Sequence, residues 1–153
     1  FPMMYPVLAQ NKEQIIIIDL PGKLDDDGLI AVFKSADLVL CPFSYDELSF
    51  DSTVLFSVVL QKINPKVNIT FIPSRIKANV RYQTKQQVDK QLMSLGQMTE
   101  AIPDRIDFQR SNTLRTPESV QPIVKSVFEH IWQKSIALEI GQDEVFNNRD
   151  AYE

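Results

Sequence analysis

The chain has 153 residues, 44% of them apolar and 24% charged, with a formal net charge of −4. That length suffices for one domain with a real core, and no apolar run reaches the ~20 residues of a membrane-spanning helix. No secretory-leader pattern is visible, and a single cysteine, Cys41, excludes an internal disulfide, so a reducing cytoplasm is the expected setting.

The charge is unevenly placed. Residues 1–61 sum to −6, residues 62–91 to +6 and residues 92–153 to −4. The basic middle is either a solvated face or a surface for phosphates and nucleic acid; Lys77, Arg81 and Lys85 are its candidate DNA contacts. The first residue is Phe1 rather than Met, which raises the expectation of a processed product or an excised segment.

In chain order, residues 1–14 carry Pro2 and Pro6 without a clean period and read as a loop or remnant. Ile15 to Ile18 are four β-branched residues ending in Asp19, Leu20, Pro21 and Gly22. Such a run suits a strand buried on both faces of a parallel sheet. Its carboxylate then stands at the edge where ligands bind in open α/β sheets, either as a metal-orienting group or as a cap for the next turn. Lys23 to Lys34 reads as a helix with Asp25, Asp26 and Asp27 in its first turn, where carboxylates complement the dipole.

Asp37 to Pro42 is a second apolar strand, and Cys41 within it reads as a small core residue. Ser44 and Glu47 form a capping-box pattern, with Ser49 or Asp51 as alternative starts. The helix that follows is expected to bury Leu48, Leu55, Phe56, Val59 and Ile63. Val67 to Pro73 alternates more and reads as a third strand nearer an edge. A basic connection leads to a second capping box, Thr84 and Gln87, opening a helix with Val88, Leu92 and Leu95 that stops at a left-handed Gly96. Met98 to Ile102 is a fourth strand, closed by Pro103.

Residues 104–115 read as a polar loop. Thr116-Pro117 opens the clearest amphipathic helix, with its true start near Ser119 and a stripe of Val120, Ile123, Val124, Val127, Phe128, Ile131 and Trp132. His130 lies off that stripe and reads as exposed and inert. Residues 141–153 form a polar tail, leaving 15–140 as the domain. The expected fold is α/β: a mostly parallel sheet of about four strands with helices on both faces.

This ordered series resembles the C-terminal part of a ParA/MinD-type ATPase, a deviant-Walker P-loop family of DNA partition, division-site placement and conjugative transposons. The carriers are Ile15 to Gly22 as the Walker B strand running into switch II, Ala36 to Pro42 as the next strand, Ser74-Arg75 where the family has Asn-Arg, and Ile102-Pro103 beside the base. The resemblance covers about residues 14–138 and implies an incomplete P-loop NTPase-like fold. It implies that Asp19 orients Mg²⁺ through water, that Gly22 senses the γ-phosphate, and that Ser74, Arg75 and Pro103 border the base of ATP.

The departure is large, because no Gly-rich phosphate loop stands among the four glycines. ATP and Mg²⁺ are therefore expected in an intact parent, and neither on this chain, which should not hydrolyse ATP alone. The expected setting is DNA partition or conjugative transfer. Expected partners are a second copy pairing through the bare isoleucine edge, non-specific DNA, and a protein of the partition or transfer machinery. Two other readings stand beside it: a non-catalytic DNA- or protein-binding α/β module, and a receiver-like domain phosphorylated on Asp19. The absence of an acidic pair on an earlier strand argues against the latter.

Overall fold

The structure is a computed structural model that describes residues 14–20, 27–112 and 114–137. Gly22, the carboxylates of Asp25 and Asp26, the N-terminal loop and the polar tail lie outside the described residues. Chain order alternates helix and strand: α1 (Asp27–Ser35), β1 (Leu38–Phe43), α2 (Glu47–Ile63), β2 (Asn68–Pro73), α3 (Lys85–Met93), β3 (Gln97–Met98), α4 (Ile106–Gln109) and α5 (Gln121–Ile131). A π-helical turn, Trp132–Ile136, continues α5.

The sheet is parallel, in the order β1-β2-β3, with Leu38 to Phe43 in register with Asn68 to Pro73. β2 is the central strand and its last five residues are buried, which corrects the expectation of an edge position. Alternation along the strands separates two cores. On one face Val39, Cys41, Phe43, Ile69 and Phe71 pack with Leu29 and Phe33 of α1, Leu60 of α2, and Val88 and Leu92 of α3. On the other, Leu38 and Ile72 meet Val127 and Ile131 of α5. Helices cover both faces, as expected.

The four-strand expectation meets a three-strand sheet. Residues 15–20 form no strand, and Ile15 and Ile17 are 58% and 85% exposed. The reason is that β propensity reports packing against neighbouring strands rather than an intrinsic backbone preference, and among the described residues no strand pairs with this run. Leu20 alone reaches the core. At the other end the predicted fourth strand shortens to Gln97–Met98. Its continuation still tracks β2, because Thr99 N–H donates to Phe71 O at 3.0 Å and Ile102 N–H to Pro73 O at 2.7 Å.

Helix α2 buries part of the stripe expected of it, Phe56 and Ile63 packing against the core beside Leu60, but not all of it. Thr53, Ser57 and Leu60 are buried, whereas Leu48 and Leu55 are 78% and 63% exposed and Val59 also faces out. The buried hydroxyls are satisfied within the helix, Thr53 Oγ1 donating to Ser49 O (2.8 Å) and Ser57 Oγ to Thr53 O (2.7 Å). Small hydroxyl residues thus share the inner face with Leu60, Phe56 and Ile63, while Leu48, Leu55 and Val59 stay outside it. Gly96 is not left-handed. A Cβ there would stand 2.3 Å from the Ile69 carbonyl oxygen, so glycine is required by close backbone approach rather than by φ.

Candidate functional site at the carboxyl edge of the sheet

Parallel strands end together, and each connection leaves from the same edge. Here β1 delivers Ser44, Tyr45 and Asp46, β2 delivers Ser74 and Arg75, and the chain after β3 delivers Ile102 and Pro103. Hydrogen bonds lock these ends together. Ser74 N–H donates to Phe43 O (2.7 Å), Ile76 N–H to Ile102 O (3.1 Å) and Asp104 N–H to Ile76 O (2.9 Å), and Ile76 bridges Pro103 in parallel. Ser74, Arg75 and Pro103 are therefore adjacent.

Arg75 has φ of 58°, in the left-handed region that costs a side-chain-bearing residue energy. The clamps on Ser74 and Ile76 to either side hold it there. Among the described residues no hydrogen bond uses the Arg75 N–H or the Ser74 C=O; the two belong to one trans peptide and point to opposite sides, so a single ligand edge can meet only one of them.

The neighbouring helix end is already occupied. Asp46 is the N-cap of α2, its Oδ1 accepting from Ser49 N–H at 2.9 Å, while Ser49 Oγ accepts from Ser44 N–H at 2.9 Å. The Ser44 hydroxyl donates to the other Asp46 oxygen. The expected Ser44–Glu47 box is thus displaced by two residues. The Ser44 hydroxyl, the Ser49 amide and the Arg75 charge hold the Asp46 carboxyl below its usual range.

A second cluster lies behind the site. Tyr45 is 7% exposed, and its hydroxyl donates to Asp89 Oδ1 (2.6 Å) and accepts from Lys85 Nζ (2.9 Å), which also bonds Asp89 Oδ2 (2.6 Å). Burial, then the Asp89 carboxylate, pushes the tyrosine up. The bond to Asp89 likewise raises Lys85. Tyr82 stacks at 5.3 Å from Tyr45 and accepts from Lys77 N–H (3.1 Å). The network ties the basic connection and α3 to the end of β1.

Lys77 and Arg81 are exposed. Lys85 is also exposed, its side chain 48% accessible, while its ammonium bonds Tyr45 and Asp89 in this cluster. Asp19 is exposed and makes no hydrogen bond or ion pair with another described residue. No group of three or more His, Cys, Asp or Glu among the described residues is placed to hold a metal. Cys41 is buried, and burial pushes its thiol up while Thr53 opposes, as befits a core residue. His130 is half-buried rather than exposed.

No protein-family model, curated protein or solved structure matches this chain. Function is therefore argued from the site itself. No helix among the described residues is long and apolar enough to cross a membrane.

Asp46 has a local signal, an acid three residues before Ser49. Tyr45 and Asp89 have none, since 44 residues separate them.

Proposed function

We infer that this chain is the base-binding portion of a ParA/MinD-type ATPase domain, of the kind that serves DNA partition or conjugative transfer in the cytoplasm. The fold would be a P-loop NTPase-like sheet completed outside these residues. The observation that carries the reading is the juxtaposition of Ser74, Arg75 and Pro103 at the carboxyl edge of a parallel sheet, held by the Ile76–Ile102 and Ser74–Phe43 hydrogen bonds.

The Arg75 N–H can donate to a ring nitrogen of adenine, and Pro103 offers an apolar flank. Serine in place of asparagine at position 74 removes a side-chain amide, so the base is read by backbone. The triphosphate and its Mg²⁺ belong to a loop absent from the sequence, and Ile15 to Asp19 would become a strand only when paired within the completed sheet. The chain alone binds base weakly and turns nothing over, because positioning and charge stabilisation of the phosphates are most of phosphoryl-transfer catalysis.

Photolabelling the chain with 8-azido-adenosine, followed by peptide mapping, tests the site. Label within residues 72–77 and 101–104, competed by adenosine, is expected. Label spread over the chain, or placed elsewhere, would overturn the reading. ATP turnover lost on Asp19→Ala would overturn the inactivity of the isolated chain.

A further inference from the structure

Among the described residues, helix α5 keeps an apolar flank that no other element covers. Val127 and Ile131 face the sheet and are buried, but Val124, Phe128 and Trp132 are 41%, 55% and 40% exposed. They recur every four residues, one helical row on one side of the buried line. The opposite flank is tied to the chain after β3 by Ser126 Oγ donating to Glu100 Oε2 at 2.8 Å. The exposed row therefore turns away from β3.

Two features specify what covers it. Gln121, Val124, Lys125 and Phe128 line an open groove, and their spacing of i, i+3, i+4 and i+7 is that of a hole that accepts one side-chain knob from a facing helix. One turn beyond stands Trp132, the only tryptophan of the chain and a knob of the right size. The rim beside this row carries one cation and one anion, Lys125 and Glu129, paired along the helix at 3.6 Å. Antiparallel copies set unlike charges opposite each other, whereas a parallel pair would set lysine near lysine.

We propose that α5 packs antiparallel against α5 of a second copy of this chain, Trp132 of each protomer filling the Gln121–Val124–Lys125–Phe128 hole of the other. The contact is isologous, Phe128 meeting Phe128 about the two-fold axis. A single helix pair is small, which places the association among weak, reversible interfaces. The mixed charge of the rim disfavours an anionic membrane surface as the occupant, since surface helices of that kind carry a basic polar face. Nothing in this contact depends on nucleotide.

Trp132 is its own reporter. Sedimentation velocity and tryptophan emission, followed from about 1 µM to about 1 mM, should show a dimer forming together with a blue shift. Phe128→Glu, at a half-exposed position, should keep the far-UV circular dichroism and weaken the dimer at least about tenfold. Lys125→Glu and Glu129→Lys should each weaken it, and the double exchange should restore it. A monomer throughout with constant emission would overturn the proposal. So would an association untouched by Phe128→Glu, which would assign it to the isoleucine run or the outer face of α2. A blue shift seen only with anionic lipid vesicles would equally overturn it. Loss of adenosine labelling with the dimer intact would overturn the nucleotide reading alone.

Discussion

Arg75 and Gly96 show two different reasons for an unusual backbone demand. At Arg75 the left-handed φ of 58° opposes the side chain's preference, so Arg75→Gly should raise the stability read from a urea melt by up to about 1 kcal/mol, while Arg75→Val lowers it by about 1–2 kcal/mol. If Arg75→Val were neutral, the strain would be absent. At Gly96 the conflict is with the Ile69 carbonyl, and Gly96→Ala should cost about 2–3 kcal/mol by forcing β2 and the end of α3 apart. A neutral Gly96→Ala in a chemical melt would contradict that close approach. Tyr45→Phe removes one hydroxyl that both donates and accepts; about 1 kcal/mol should be lost, and Tyr82 should become more mobile on its ring face.

The carboxylate that caps α2 links an element to pH. The folded state holds Asp46 below the ordinary aspartate value, through the Ser44 hydroxyl and the Ser49 amide. Its contribution is therefore complete above that value and is lost as pH falls toward the lower folded value. Asp46→Asn should flatten the acid limb of a stability profile below about pH 4, whereas an unchanged limb would remove Asp46 from its cause. At this scale the sequence was legible where the period was clean. The strand 38–43, the strand 68–73, the buried Val88 and Leu92 of α3 and the approximate start of α5 all follow from apolar spacing and from prolines at element ends. The inner face of α2 was legible only in part, at Phe56 and Ile63, because Thr53 and Ser57 satisfy their hydroxyls along the helix and so pass as core residues. The isoleucine run misled for the opposite reason. Its composition describes a buried strand, but a strand exists only through its neighbours.

At the scale of the whole molecule the sheet joins residues far apart in sequence. Ser74, Arg75 and Pro103 meet because β2 and the chain after β3 leave from one edge, a placement that the alternating βα order already implied. The Tyr45–Lys85–Asp89 cluster was beyond reach from sequence, since it depends on how α3 sits against the end of β1. In that cluster the Lys85 ammonium already bonds Asp89. Lys77 and Arg81 remain for phosphate contacts. Any DNA retention should fall steeply with added salt and should be lost with Lys77→Ala/Arg81→Ala but kept with Lys85→Ala. Retention that ignores salt would assign it to something other than the backbone phosphates.

The proposed base-binding edge can be tested one residue at a time by ¹H–¹⁵N correlation spectroscopy of the chain titrated with adenosine and, separately, with inorganic triphosphate. Adenosine should move the amides of Arg75, Ile76, Ile102 and Asp104, and triphosphate should leave the amides at the start of α2 in place, since Asp46 already occupies them. Adenosine shifts that bypass Arg75 and Ile102, or triphosphate shifts centred on Ser49, would contradict it.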